Sequence, residues 1–232
     1  MTNDSDLVAL IRLIVACDAA GVQRKLAADP VLATAAATSG ATRDAPRPFF
    51  FTRIRHYLYA GGTALHMAGA AYSRPIAELL VAHGADCHAG DRFQIQPLHL
   101  AATTNHWNPA AQVETIAYLR SVGADPNAID RLGVTPLHRA VRTRSSPAVK
   151  ALLAGGADPR RKNRSGSTPL HLAVQTTGRG GTGSAHARAE QAEIIRLLVD
   201  AGAKVSDRDG RGRSVRQAAT AAAARQLIAI VR

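Results

Sequence analysis

The sequence predicts an all-α solenoid in which helix-turn-helix units stack side by side and are joined by β-hairpin-like fingers. Two observations lead to this prediction: a short motif recurs at a fixed distance from a glycine turn, and the composition suits closely packed helices. Hydrophobic residues make up 46% of the 232 positions, with alanine prominent among them, whereas aromatic residues make up only 4%. A β-sandwich would favour bulkier β-branched and aromatic side chains.

The recurring motif has four copies, at residues 63–66 (TALH), 96–99 (QPLH), 135–138 (TPLH) and 168–171 (TPLH). A second landmark recurs as Gly84, Gly123, Gly156 and Gly202, each of which precedes the next motif, or its 214–217 (SVRQ) equivalent, by 12 residues. The distance from motif start to glycine is 21 residues in the first and third copies, 27 in the second and 34 in the fourth. The unit is therefore 33 residues long, with insertions of 6 and 13 residues between the two fixed points.

The residue types in each unit account for its local structure. Proline at the second motif position, as in Pro136, suits the first turn of a helix because an N–H there would have no partner. A second apolar run, such as 148–153 or 194–199, leads to a glycine that suits a left-handed helix cap. The polar residues that follow predict a finger that joins one helix pair to the next. One pair cannot bury its apolar face alone, so neighbouring pairs are expected to stack.

This 33-residue period and the T-P-L-H motif resemble those of the ankyrin-repeat family, in particular bacterial-type ankyrin-repeat proteins. The resemblance is clear over residues 61–232 and loose over the first 60. It implies a scaffold for protein–protein interaction rather than an enzyme, with fingers and first helices lining a concave surface that binds the partner. It also implies that four histidines hydrogen-bond the backbone of the turns and link the repeats: His66, His99, His138 and His171.

The repeats divide the chain into four predicted parts. Residues 1–30 are expected to form an N-terminal capping helix pair, and residues 31–60 an irregular insertion. Residues 61–213 are expected to hold four ankyrin repeats (61–93, 94–132, 133–165 and 166–211), and residues 212–232 a C-terminal capping repeat with a final helix over 218–231. The ends are expected to be atypical, because a terminal repeat has one face in water.

Basic side chains concentrate on the predicted fingers and first helices. The formal net charge of +12 favours an acidic partner. Together with Phe93 and Trp107, the predicted partner-binding residues are Arg92, Arg131, Arg139, Arg142, Arg160, Arg161, Lys162, Arg164, Arg208, Arg211 and Arg213. We expect the arginines to make bidentate contacts with carboxylates. Two alternatives stay open: a solvated surface that is Arg-rich by composition alone, and nucleic-acid binding in the same groove, which the scarcity of aromatic residues for stacking disfavours.

Two further features could indicate chemistry, and each has a plainer interpretation. His83, Cys87 and His88 could hold a metal or an unrecognised enzyme site, but no second pair of ligands at zinc-type spacing accompanies them. The glycine-rich segment 178–184 lacks the preceding strand and following Lys-Ser or Lys-Thr of a phosphate loop, so a flexible loop is expected. The sequence contains no recognisable catalytic triad or nucleotide loop, and we expect neither metal nor cofactor.

The insertions and one aromatic cluster are additional candidates for contact. Trp107, in the first insertion (105–111), is either a binding anchor or packs on its neighbours and fixes the loop. The second insertion (178–189) falls at the same place in its repeat, so both lie on the edge opposite the fingers and could form a secondary contact site. The three phenylalanines at 49–51 are expected to cover the side of the first repeats, with an exposed sticky patch as the alternative.

Cysteines and apolar runs bear on where the protein works. Cys17 and Cys87 are too few and too far apart for a disulfide framework, which indicates a reducing compartment. The segment Leu7–Cys17 ends like a lipoprotein cleavage site, but acidic residues precede it and Arg12 interrupts it, so an amphipathic helix is predicted. No apolar run is long enough to span a membrane. We therefore expect a soluble, cytoplasmic monomer.

Overall fold

The structure is a computed structural model that describes residues 4–104, 108–175 and 184–219. The chain forms two compact units, Met1–Asp125 (unit 1) and Pro126–Arg232 (unit 2). The described residues contain eleven α-helices and one sheet of two short strands. The prediction of a mainly helical fold is confirmed. None of these helices, within the described ranges, is both long and apolar enough to cross a membrane.

Unit 1 consists of three stacked helix pairs. Its helices are α1 (Asp4–Ala16), α2 (Ala19–Ala28), α3 (Ala64–Ala71), α4 (Arg74–Ala82), α5 (Pro97–Ala101) and α6 (Pro109–Ser121). The first helix of each pair packs on the first helix of the next, in the order α1, α3, α5, and the second helices pack in the order α2, α4, α6. Leu65, Leu98 and Ile116 are fully buried in this stack. The pair α1–α2 covers α3 and α4, which is where a capping pair would lie.

Unit 2 repeats the same arrangement. Its helices are α7 (Pro136–Arg142), α8 (Ser146–Ala154), α9 (Pro169–Ala173), α10 (Ala185–Asp200) and α11 (Val215–Ala218). Helix α9 packs between α7 and α11, and α8 packs on α10. The stacking that one-sided helix pairs require is thus present within each unit. Most of the helix predicted over 218–231 lies outside the described residues.

The helices begin and end where the motif predicts. Pro97, Pro136 and Pro169 open their helices, where a missing N–H has no consequence. The four turn glycines all lie in the left-handed region, with φ between +87° and +101°: Gly84, Gly123, Gly156 and Gly202. Glycine adopts this conformation without the steric cost that a Cβ would bring.

A single Asp or Asn side chain organises each finger. Asp91 Oδ1 accepts hydrogen bonds from the backbone N–H groups of Phe93, at 2.8 Å, and Ile95, at 3.0 Å. The same pair of bonds recurs in the later fingers at Asp130, Asn163 and Asp209.

Adjacent fingers within a unit are in direct contact. In unit 2 the N–H of Arg164 donates to the carbonyl of Leu132 at 2.9 Å. A Cβ on Gly133 would lie 2.9 Å from the Arg164 nitrogen, so only glycine allows this approach. The next pair of fingers is joined in the same way, by a bond from the Gly210 N–H to the Ser165 carbonyl at 2.9 Å.

The segment between α2 and α3 has little regular structure. It contains three 3₁₀ turns (Pro30–Ala33, Arg47–Phe49 and Thr52–Ile54) and two antiparallel strands, β1 (Phe50–Phe51) and β2 (His56–Tyr57). Asp4, at the start of α1, anchors it by accepting hydrogen bonds from the N–H and hydroxyl groups of Thr38 and Ser39. These bonds, led by the Ser39 hydroxyl, lower the pKa of Asp4 to about 2.

The phenylalanines of this segment are not its main buried residues. Ile54 and Leu58 are almost fully buried, whereas Phe50 remains 37% exposed and its two neighbours are half-buried. The expectation that the phenylalanines cover the first repeats therefore holds only in part, because the short hairpin turns Ile54 and Leu58 inward and leaves Phe50 at the surface.

Candidate protein-interaction surface

The repeat histidines are buried at the starts of the first helices. In repeat one, the Thr63 N–H donates to Nδ1 of His66 at 3.1 Å, and Nε2 of His66 lies 2.7 Å from the carbonyl oxygen of Ile95. Nδ1 must therefore be the acceptor and Nε2 must carry the proton, so the His66 ring is fixed in one neutral tautomer. The side chain connects the start of one repeat to the finger that leads into the next.

The same geometry recurs in unit 2. His138 Nε2 lies 3.1 Å from the carbonyl of Ser167, and His171 Nε2 lies 3.4 Å from that of Arg213. Burial lowers the pKa of His66, His138 and His171, and the hydrogen bonds to these carbonyls oppose that shift. His99 is also buried, and its Nδ1 accepts from the Gln96 N–H at 3.2 Å. These contacts are what a structural role requires.

Several of the predicted partner-binding arginines already contact a carboxylate within unit 2. Arg139 Nη2 lies 2.9 Å from Asp130 Oδ2, and both side chains are mostly buried. Arg160 makes two contacts with Asp207, through Nε at 3.1 Å and Nη2 at 2.8 Å, and the bond from Arg160 lowers the pKa of Asp207. Arg213 Nε and Nη2 both contact Oδ2 of Asp209. These three arginines are therefore largely neutralised before any partner arrives.

Arg208 and Arg144 are occupied by backbone carbonyls. Arg208 Nη1 donates to Gly212 at 2.6 Å, within its own finger. Arg144, which follows α7, donates to the carbonyls of Ala173 and Gln175 at 2.9 and 3.0 Å, and burial lowers its pKa. Arg144 thus satisfies one carbonyl in the last turn of α9 and one just beyond it, and has a structural function there.

The other predicted partner-binding cations of unit 2 have no carboxylate within ion-pair distance among the described residues. They are all exposed: Arg131, Arg142, Arg161, Lys162, Arg164 and Arg211. Three of them flank Asn163, which stands where the neighbouring fingers carry Asp130 and Asp209. The amide makes the same two backbone bonds as those carboxylates but brings no negative charge. This finger, at residues 156–168, is the third finger, and it therefore has the most cations without a carboxylate partner.

Two apolar side chains lie beside these cations, and the sequence analysis missed them. Leu132 is 64% exposed and Ile129 is 47% exposed, both in the finger that contains Arg131. The backbone bond between Leu132 and Arg164 places this finger against the basic one. An exposed apolar centre with a charged rim is the usual composition of a protein-interaction surface. The signal was available in the sequence: Leu132 stands at a finger position that is Phe93, Ser165 and Arg211 in the other repeats.

In unit 1, the predicted residues Arg92 and Phe93 lie together. The guanidinium carbon of Arg92 is 4.7 Å from the centroid of the Phe93 ring. The Phe93 ring also meets Tyr59 edge to face, with centroids 5.0 Å apart. The sequence analysis did not bring Tyr59 to this finger, because 34 residues separate the two rings in the chain.

The cluster near Cys87 has weak ligand character. Asp86, Cys87 and His88 place one ligand atom each within 4.8 Å of one another. However, Asp86 Oδ1 accepts from the His88 N–H, and burial raises the pKa of the Cys87 thiol, which disfavours the thiolate that metals bind. The predicted third member, His83, is not in this group, and its Nδ1 lies 2.8 Å from the Leu79 carbonyl.

The two insertions are only partly described. Trp107 and residues 176–183 lie outside the described residues. The described part of the first insertion, at Asn108 and Ala111, lines a cavity of about 360 Å³ together with Tyr72 and Pro75. Buried Gln112 follows this insertion and donates to the Ala101 carbonyl at 2.9 Å. Gln191, after the second insertion, donates likewise to Ala173 at 2.7 Å.

Fold and surface together define the class of the protein: a helical repeat protein whose row of fingers joins successive helix pairs within each unit. The family model described as ankyrin repeats (3 copies) matches residues 108–209. This match supports an ankyrin-repeat protein over the residues that it covers, and ankyrin repeats generally serve as protein-interaction modules. None of the curated proteins compared with the chain matches it.

Proposed function

We propose that the chain is a non-enzymatic scaffold that binds an acidic partner protein through the fingers of unit 2. The binding surface consists of Leu132 and Ile129 with the exposed cations around them, chiefly those of the third finger. We place this activity in the cytoplasm. The observation that carries the proposal is the contact between the exposed apolar finger and the uncompensated basic one.

The chemistry of this surface favours a protein partner. Leu132 and Ile129 would bury apolar area against the partner, which supplies the free energy of association. Exposed arginines at the rim would pair with carboxylates, accelerate association and select an acidic face. The fingers are held by hydrogen bonds to Asp130, Asn163 and Asp209, so they are largely ordered before binding and lose little conformational entropy.

Asn163→Asp offers a minimal test of the electrostatic part. Aspartate keeps the Oδ1 acceptor for the Ser165 and Ser167 N–H groups, as Asp130 and Asp209 do in their fingers. It adds one negative charge in the middle of the free cations without changing the size of the side chain. We expect the variant to fold normally and to retain less partner in affinity capture from a native lysate.

A stronger perturbation reverses two finger charges. Arg161→Glu with Arg164→Glu should abolish capture of the partners that the wild type retains. Lys150→Glu with Arg188→Glu makes the same change in net charge on exposed positions of α8 and α10, and should leave capture intact. Leu132→Ser tests the apolar centre separately. Equal capture by the finger variant and the wild type would refute the proposal.

A further inference from the structure

The aromatic residues of this aromatic-poor chain are concentrated in one part of unit 1. Six of the nine Phe, Tyr and Trp residues lie within 49–59 or at position 93. Their rings contact one another in series: Phe50 and Tyr57 have centroids 4.6 Å apart, Tyr57 and Tyr59 6.1 Å, and Tyr59 and Phe93 5.0 Å. The hairpin of the irregular segment thus lies beside the first finger, and the two together present a continuous aromatic surface.

Three of these rings line an open cavity of about 220 Å³, which we call the aromatic pocket. Its lining consists of Tyr57, Tyr59 and Phe93, the arginines Arg43 and Arg92, and the smaller residues Ala41, Thr42 and Pro46. The lining residues include no carboxylate. All three rings are half-buried, so part of each is accessible from solvent.

The charge around the aromatic pocket is positive. Arg43 is exposed and has no hydrogen-bond or ion-pair partner among the described residues. The Arg92 guanidinium lies over Phe93, and its only hydrogen bond within the described ranges is a long one, 3.4 Å, to the Ala41 carbonyl. Arg47 and Arg55 add two further exposed cations, and Asp44 is the single acid within residues 41–60.

We propose that the aromatic pocket and its arginines form a binding site for single-stranded nucleic acid. A base would stack on the accessible part of the Tyr57 or Tyr59 ring, and the flanking phosphates would contact Arg43 and Arg92. Aromatic rings interleaved with cations are the combination that holds unpaired strands without sequence preference. A duplex keeps its bases stacked in its interior, so those bases cannot reach these rings.

The composition of the pocket favours this occupant over an acidic peptide. Carboxylates would satisfy Arg43 and Arg92 but would leave the ring faces without a partner. A nucleotide satisfies both parts, since it carries a planar ring and an anion on one flexible backbone. The site is also separate from the finger surface proposed for protein binding, which lies in unit 2.

The test is fluorescence anisotropy of a labelled oligothymidylate of about 12 nucleotides, a length within the site sizes of known single-strand binders. The comparison is between the full-length wild type and Tyr57→Leu/Tyr59→Leu, in which leucine keeps apolar bulk but removes the stacking faces. Tyr118→Leu, on α6 and outside the pocket, is the matched control. We expect the pocket variant to bind about tenfold more weakly, and the control to bind like the wild type.

Three further arms identify what the site recognises. An abasic phosphodiester strand of equal length should bind the wild type about as weakly as the thymidylate binds the pocket variant, because only stacking has been removed. A duplex of equal length should bind more weakly than the single strand. A labelled polyglutamate should show no dependence on Tyr57 and Tyr59. Equal binding of the strand by wild type and folded pocket variant, absence of strand binding by the wild type, or polyglutamate binding that depends on the two tyrosines would each overturn the proposal.

Discussion

Replacement of His138 by alanine tests whether the repeat histidines hold consecutive repeats together. His138 is fully buried. Its Nδ1 accepts from the Thr135 N–H at 3.3 Å, and its Nε2 donates to the Ser167 carbonyl at 3.1 Å. Alanine leaves both backbone groups without these partners, and a buried polar group without a hydrogen bond costs about 1–3 kcal/mol. The unfilled volume of the ring adds roughly another 1 kcal/mol.

We therefore expect His138→Ala to lower the free energy of unfolding by about 3–4 kcal/mol, a large part of the roughly 5–15 kcal/mol typical of a native protein. Urea denaturation followed by circular dichroism measures this change. His138→Phe refills the volume but restores neither hydrogen bond, so it should recover only a minor part of the loss. His88→Ala, at an exposed histidine, should change stability by less than about 0.5 kcal/mol. A loss below about 1 kcal/mol for His138→Ala would refute the linking role.

Three other predictions concern stability and reactivity. Burial lowers the pKa of three repeat histidines. Their contribution to stability is therefore fully present above the unfolded-state pKa of about 6.5 and is lost as the pH falls toward the folded-state values, by up to about 1.4 kcal/mol per pH unit for each histidine. Urea midpoints that do not change between about pH 7.5 and pH 5 would contradict this. Gly156→Ala should destabilise by about 1 kcal/mol because Gly156 has φ of +87°, whereas Gly155→Ala, at φ of −84°, should be neutral or stabilising; thermal melts of the two variants decide this. Cys17 is exposed, whereas burial raises the pKa of the Cys87 thiol. Iodoacetamide should therefore label Cys17 first, which peptide mass mapping would show. Faster labelling of Cys87 would contradict the structure.

The sequence predicted the repeated part of the fold closely, because local chemistry specifies it. Pro136 suits the first turn of α7 and Gly156 suits the left-handed turn after α8, so the 33-residue period fixes helix boundaries to within a residue or two. The finger turns were predictable for the same reason, although the hydrogen bonds of Asp91 and its equivalents had not been singled out.

The irregular segment between α2 and α3 could not be predicted in the same way, since no second copy exists for comparison. Its hairpin depends on contacts distant in sequence, such as the bonds from Ser39 to Asp4 and the contact of Tyr59 with Phe93. The scarcity of aromatic residues, which disfavoured stacking on nucleic acid when the fingers were considered alone, carries less weight once these rings are found together.

The pairing of charges was equally beyond the sequence, and it decides where a partner could bind. Counting cations assigned Arg139 and Arg160 to the same surface as Arg161, but Arg139 contacts a carboxylate nine residues away and Arg160 one 47 residues away. Which cations remain without a carboxylate partner depends largely on the finger position that holds Asp130, Asn163 or Asp209. All three side chains fix the finger backbone equally well, so the choice between carboxylate and amide has little consequence for the fold. It has a direct consequence for the surface, because the amide leaves its neighbouring cations uncompensated. Within unit 2, the same position thus holds the scaffold together and sets the local charge, and the charge can vary from finger to finger without disturbing the stack.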